Sequence, residues 1–239
     1  MRTDSRRADQ LRKVSIQRHF TQHAGGSVLM SFGQTRVLCT VMIEKGVPPW
    51  LTGKGQGWLT AEYSMLPSST NTRKKRDSGK PDGRSVEIQR LIGRVLRSVI
   101  DMKKLGENTL WLDCDVIQAD GGTRTAAITG SYVALCDAVQ RAKMNSILTE
   151  NPVIGQVAAI SVGIVQGKPV VDLNYSEDST AQVDMNVAML KDGTFVELQA
   201  TGEHATFTPR QFNSMLKLAI KGIKELHALQ TNALKRKVH

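Results

Sequence analysis

One run in this chain has the make-up of a phosphate cradle: Asp120-Gly121-Gly122-Thr123-Arg124-Thr125. Two glycines let backbone N–H groups point outward with no Cβ in the way. If a helix begins just after them, its first N–H groups add unpaired donors and partial positive charge. Arg124 then contributes a planar fork of donors matched to an oxyanion. Nucleotide-cofactor loops fit poorly, because no G-x-x-x-x-G-K-[ST] occurs and Gly53-Lys54-Gly55-Gln56-Gly57-Trp58 does not keep G-x-G-x-x-G spacing. Inorganic phosphate, or the phosphate of a nucleic acid, is the better match. From local sequence alone, an ordinary strand-helix turn with a surface arginine fits equally well.

A second run, Tyr175 to Asn186, gathers Glu177, Asp178 and Asp184 where charges are otherwise sparse. Asp184 stands between Val183 and Met185 in an alternating pattern, so it reads as a strand aspartate. Positions six apart lie on one face of an extended chain, which predicts that Asp178 and Asp184 point into one site. Phosphoryl chemistry uses such a pairing: cations bind the phosphate, and carboxylates hold a divalent metal or protonate the leaving oxygen. Solvated loop acids and one hydrogen-bonded strand aspartate would give the same pattern.

The elements that must carry these residues are legible from periodicity. Leu110 to Val116 alternates as a half-buried strand ahead of the glycines, and Ile128, Leu135, Ala138, Val139 and Ala142 follow at helical spacing. Ser27–Phe32 and Thr35–Val41 form a hairpin about Gly33-Gln34. Residues 44–60 read as loop, and 68–84 as a basic, hydrophilic loop. Ser85 is expected to cap a helix with Ile88, Leu91, Ile92, Val95, Leu96, Val99 and Ile100 on one face, ending at Lys103-Lys104 and Gly106. Its opposite face carries Arg90, Arg94 and Arg97, a solvated row or else an RNA track or subunit interface. Val157–Val165, Val170–Leu173, Val183–Leu190 and Thr194–Gln199 read as strands. The last helix starts at Thr208 and Pro209, with Phe212, Met215, Leu216, Ala219, Ile220, Ile223 and Leu226 as its stripe. Strands and helices in blocks predict a mixed α+β domain without repeats.

Of 239 residues, 40% are apolar and 23% charged, the make-up of a globular protein. Residues 1–104 hold 20 Lys and Arg against 8 Asp and Glu, whereas residues 105–239 hold 12 against 14. A basic half of this kind is the footprint of a polyanion partner, nucleic acid rather than membrane. No run has the length of a membrane span, and Met1-Arg2-Thr3-Asp4-Ser5-Arg6-Arg7 lacks a signal peptide's apolar stretch. Cys39, Cys114 and Cys136 read as reduced thiols, and the five histidines show no metal-ligand spacing with them. A cytoplasmic protein away from membranes is expected.

Taken in order, Gly57-Trp58-Leu59-Thr60-Ala61-Glu62-Tyr63-Ser64-Met65-Leu66-Pro67, Glu87-Ile88-Gln89-Arg90-Leu91-Ile92-Gly93-Arg94, Gln118 to Thr125, and Glu177-Asp178 before Asp184-Met185-Asn186 closely resemble the ribonuclease PH family. The resemblance runs from about Arg7 to the final helix. It implies a single domain over 1–239 like the second domain of ribosomal protein S5, and a hexameric homo-oligomeric ring built as a trimer of dimers. It also implies phosphate-dependent 3′-to-5′ trimming of tRNA precursors and other structured RNA 3′ ends. Inorganic phosphate would be co-substrate, with nucleoside 5′-diphosphates released and the reverse reaction adding nucleotides.

By position, the resemblance implies phosphate binding at Gly122, Thr123 and Arg124, and at Arg84 in Asp82-Gly83-Arg84-Ser85. It implies catalysis and Mg2+ binding at Asp178 and Asp184, and RNA contacts from Arg73 and Arg76. Whether Asp184 ligates metal or donates the proton stays open. The family's usual Q-G-T-A-E is here Gln199-Ala200-Thr201-Gly202-Glu203, so the backbone of that turn is expected to differ. The alternative is a non-catalytic RNA-binding ring subunit of the exosome type, which would be expected to lose site residues; Arg84, Arg124, Asp178 and Asp184 are all present. A plain RNA-binding protein is the third class that charge alone permits.

Overall fold

The computed structural model of the chain describes residues 2, 4–76 and 82–236. The elements in chain order are β1 (Val14–Arg18), β2 (Gly26–Phe32), β3 (Thr35–Lys45), β4 (Trp58–Met65), α1 (Gly83–Arg97), α2 (Met102–Leu105), β5 (Asn108–Gln118), α3 (Thr123–Met144), β6 (Val157–Val165), β7 (Lys168–Val171), α4 (Tyr175–Asp178), β8 (Val183–Leu190), β9 (Phe195–Gly202) and α5 (Pro209–Lys235). The strands form two sheets, ordered β1-β2-β3-β5-β4 and β7-β6-β8-β9. Every pairing is antiparallel except β4 beside β5.

Alternation decides which strand face is inside. Val28, Met30 and Phe32 of β2 and Val37, Cys39 and Val41 of β3 are buried on one side, and Gly33 closes the hairpin with φ 56°. Helix α3 lies between the sheets, touching β2 and β3 on one side and β6 on the other. Its small residues make this approach possible: a Cβ on Gly130 would come within 2.7 Å of the Met30 Cβ. Such a helix must be apolar nearly all round, and Ala126 to Leu135 are buried without a break. Helix α1 covers β4, while α5 covers β6 and β7 through Met215, Ala219, Ile223 and Leu226. Residues of both sheets and of α1, α3 and α5 share one hydrophobic core. The expected mixed α+β architecture is therefore present.

Three local expectations are corrected. The loop expected over 44–60 is shorter, because β3 runs to Lys45 and β4 begins at Trp58. Ser85 is not the cap of α1: the Asp82 carboxylate accepts the Ser85 N–H at 2.6 Å and takes that role. The helix stops at Arg97 because the next residues find other partners. Ile100 bridges to Val153, and the Asp101 N–H donates to the Pro152 carbonyl at 2.8 Å. Lys103 and Lys104 belong to the separate α2, capped by Asp101 and closed by Gly106 at φ 61°.

The arginine row of α1 is divided. Arg94 pairs with Glu197 at 2.9 Å, while Arg97 lies 4.8 Å above the Trp58 ring and donates to the Leu59 carbonyl at 3.0 Å. All three cysteines are free thiols. Among the described residues no helix is long and apolar enough to cross a membrane. Of the basic loop 68–84, residues 77–81 lie outside the described residues.

Candidate active site

The strand-to-helix turn forms where expected, between β5 and α3. Gly121 and Gly122 both take left-handed conformations, φ 73° and 66°. A Cβ at Gly121 would stand 2.5 Å from the Leu173 carbonyl oxygen, so only glycine fits. Gly122 is the N-cap of α3 and offers no side-chain cap, which leaves the first helical N–H groups for a ligand. The Thr123 hydroxyl is already engaged, accepting from the Tyr63 hydroxyl at 2.8 Å. Burial pushes the Tyr63 phenol upward, which keeps it the donor of that bond.

Arg124 follows on the first turn of α3. Its Nη1 donates to Gln199 Oε1 at 3.3 Å and lies 3.5 Å from Glu87 Oε1. Arg84, in the first turn of α1, lines the same cleft. This cleft of about 640 Å³ also holds Asp178, Asp184, Asn186, Ser161 and Glu203. Two arginines, a glycine turn and two aspartates thus face one space.

The carboxylates converge by a different route from the expected one. Asp178 is not on an extended chain but ends α4, a single turn that Asn174 caps by accepting the Glu177 N–H at 3.0 Å. Asp184 stands on β8, opposite Gly163 of β6 and Thr201 of β9. Asn186 donates to its Oδ2 at 3.0 Å, while Oδ1 is buried and takes no hydrogen bond among the described residues. Burial, and then the Asp178 charge, push Asp184 up to about 6. Burial raises Asp178 as well, against the pull of Arg84 and Arg124.

The unpartnered buried oxygen of Asp184, with the Asp178 carboxylate lining the same cleft, fits a divalent cation such as Mg2+. Among the described residues no group of three or more His, Cys, Asp and Glu is placed to hold a metal by itself. Mg2+ ordinarily keeps waters and phosphate oxygens beside one or two carboxylates, so this donor set is compatible with it.

Several residues of the site carried no signal in the sequence. Arg12 is buried and reaches the turn directly, with Nη1 donating to the Asp120 carbonyl and Nη2 to that of Gly121 at 3.4 Å. Thr35 Oγ1 donates to the same Gly121 carbonyl at 2.7 Å and accepts the Asp120 N–H at 2.9 Å. Ser161 accepts the Leu173 N–H at 3.2 Å through its hydroxyl. These contacts join residues far apart in sequence, which no periodicity reports.

The departure at Gly202 has a local cause. A Cβ there would collide with the Ala205 carbonyl, so glycine is what permits the tight turn that brings Glu203 and His204 to the cleft. Arg73 and Arg76 are exposed and stand apart from the cleft lining, although Thr70, Asn71 and Thr72 of the same segment reach it.

Comparison with known proteins agrees with this architecture. Residues 10–140 match the family model of the 3′ exoribonuclease family, domain 1, and residues 155–222 that of domain 2. The chain belongs to this 3′ exoribonuclease (ribonuclease PH) family. Among solved structures, rice (Oryza sativa) Rrp46 matches with TM-score 0.80 and 18% identity over 98% of this chain and 100% of that one. The Archaeoglobus fulgidus exosome with RNA bound to the active site matches at 0.80 and 24%, over 95% and 92%. An archaeal exosome core matches at 0.77 and 23%, over 96% and 91%. These likenesses establish the fold.

Proposed function

We propose that this protein is a phosphate-dependent 3′ exoribonuclease. The observation that carries the reading is the joint placement of Arg84, Arg124, the Gly121-Gly122 turn, Asp178 and Asp184 around one cleft. Arg84 and Arg124 hold inorganic phosphate against the N–H groups at the start of α3 and aim one of its oxygens at the 3′-terminal phosphodiester. That oxygen bonds to the phosphorus, and the bond to the penultimate nucleotide's 3′ oxygen breaks. The terminal residue leaves as a nucleoside 5′-diphosphate, and the 3′ oxygen takes up a proton. Because one ester link is exchanged for one phosphoanhydride, excess diphosphate drives the reverse extension. The protein's contribution is positioning and charge neutralisation, as in other phosphoryl transfers.

Asp178 and Asp184 are the residues that would hold Mg2+. When bound, the cation supplies neutralising charge at the scissile phosphate. Protonated Asp184 is the other way for this pair to serve the leaving oxygen. Homo-oligomerisation into a hexameric ring belongs to the same proposal, since a ring gathers the basic segments of several chains around one RNA.

A second reading is a ring subunit of the exosome type that binds RNA without turnover. It draws support from the exosome proteins among the matching structures. Within the wider class of RNA 3′ ends, tRNA precursors are the candidate substrate. The test is an RNA with extra 3′ nucleotides, incubated with and without phosphate, with products separated by chromatography. Phosphate-dependent nucleoside diphosphates are expected. Monophosphates, or equal loss in phosphate-free buffer, would sink the mechanism. RNA binding with no loss in either buffer would favour the silent subunit.

A further inference from the structure

Helix α4 divides its side chains between two tasks. Glu177 faces inward, where Arg2 grips its carboxylate with Nε at 2.8 Å and Nη2 at 2.7 Å. Tyr175 and Asp178, three residues apart, share another face of the turn, and both line the cleft. Tyr175 is 59% exposed. Among the described residues its ring stacks on no other aromatic, and its hydroxyl has no hydrogen bond. The ring thus offers a free π-face beside Asp178, on which a flat group of a ligand could pack.

The main chain beneath that ring is tied to the phosphate turn. The Tyr175 N–H donates to Asp120 Oδ1 at 3.1 Å. Gly121 packs so closely against residues 173–175 that a Cβ there would come within 3.0 Å of the Tyr175 nitrogen. The ring is therefore carried on the same frame as the Gly121-Gly122 turn and Asp178. An aromatic side chain adds large contact area at little conformational cost.

We propose that Tyr175 is a stacking platform for a nucleobase flanking the scissile phosphodiester. The inference rests on the exoribonuclease reading, which places that phosphodiester at Asp178 and Asp184. Neighbours three apart on a helix lie about 5–6 Å apart at Cβ, the reach from a backbone phosphate toward its own base. Stacking suits an enzyme that must accept successive 3′ residues, because every base has a π-face and none is read by its edge. Among the described residues lining the cleft, Tyr175 is the one carbocyclic aromatic and His204 the one other ring, while Asn71 and Thr72 add polar groups.

The test measures RNA binding by fluorescence anisotropy in an Asp184→Asn background, so that substrate is not consumed. Tyr175→Ala should weaken binding of an intact single-stranded 3′ end on the order of 5- to 150-fold, and Tyr175→Phe should keep it. An oligonucleotide abasic at the last or the penultimate position should bind as weakly as intact RNA binds the alanine variant. That same abasic RNA should lose nothing further in the alanine variant. In the turnover-competent protein, Tyr175→Ala should raise KM for RNA and leave KM for phosphate unchanged.

Undiminished binding by Tyr175→Ala would overturn the proposal. So would equal abasic penalties, at both positions, with and without the ring. If the wild-type chain shows no phosphorolysis, the exoribonuclease reading falls by itself, and the anisotropy series still decides on the platform.

Discussion

Arg12 and Asp172, 160 residues apart, meet as a buried fork, with Nη2 2.6 Å from Oδ1 and Nε 3.1 Å from both carboxylate oxygens. Asp172 holds a left-handed backbone, φ 55°, at the point where β7 turns toward α4. The remaining donors of Arg12 go to the carbonyls of Asp120 and Gly121. One ion pair thereby fastens the phosphate turn to the segment that carries Asp178. Arg6 adds to the same node, donating to the Asp172 carbonyl at 3.0 Å.

Removing Arg12 should therefore disturb both halves of the site. Arg12→Ala takes the closest cation from the buried Asp172 carboxylate and leaves it Arg6 Nη1 at 3.4 Å and the residue-12 backbone N–H. The loss, measurable by urea denaturation, should be at most about 3–5 kcal/mol. Arg12→Lys keeps the charge without the fork and is the more informative variant. It should fold and show a raised KM for phosphate. A folded lysine variant with wild-type phosphate KM would detach this pair from the positioning of the turn.

Asp184 gives the chain a pH-dependent stability of definite sign. Its folded-state pKa stands at about 6, above the ordinary 3.8. Below pH 4 both folded and unfolded chains hold the proton. Between about 4 and 6 the unfolded chain releases it first, so stability falls as pH rises and stays lower above 6. Asp184→Asn escapes that loss and can still accept from Asn186. In chelator at pH 7.5 it should exceed the wild type by up to about 3 kcal/mol, with little difference at pH 4. Turnover should be abolished and RNA binding kept or strengthened, because one negative charge is gone. Equal stability of the two proteins across that range would show that Asp184 is not held against its ionisation.

How far the sequence reaches is clearest at this pair. Asp184 was legible as a strand aspartate because Val183 and Met185 flank it in period 2. Asp178 lines the same cleft as Asp184, but not through the alternation that the sequence predicts, since Asn174 turns that segment into a helix. A four-residue helix is too short to leave a periodic trace, and only its cap residue announces it. Long elements, α3, α5 and β6 above all, were legible because their apolar patterns persist. Helix α1 was overextended, because Val99 and Ile100 continue the apolar face after the backbone has left the helix. Arg12, Thr35 and Ser161 could not be found by local pattern, because their partners are fixed only by the fold.

The proposed ring predicts a mass. Light scattering at micromolar concentration should give an oligomer, six chains for the full assembly. A monomer mass would overturn ring formation, and a stable dimer would overturn only the hexamer.

Two kinds of arginine should separate in kinetics. Arg124 stands at a rigid helix start, its Nη1 held 3.3 Å from Gln199 Oε1, beside the turn proposed to bind small phosphate. Arg124→Ala should raise the phosphate requirement or abolish turnover even with saturating RNA. Loss of one charge-assisted contact of this kind is worth about 1.5–3 kcal/mol, which is roughly 10- to 150-fold. Arg73 and Arg76 are exposed on a segment whose neighbours Thr70 to Thr72 border the cleft, where an RNA backbone would approach. Their double alanine variant should bind RNA more weakly with phosphate dependence little changed. Each lost backbone contact should flatten the log–log salt dependence of binding by about 0.7 for single strands. A loop variant with the wild-type salt slope, or an Arg124→Ala that loses RNA affinity instead of phosphate use, would reverse these roles.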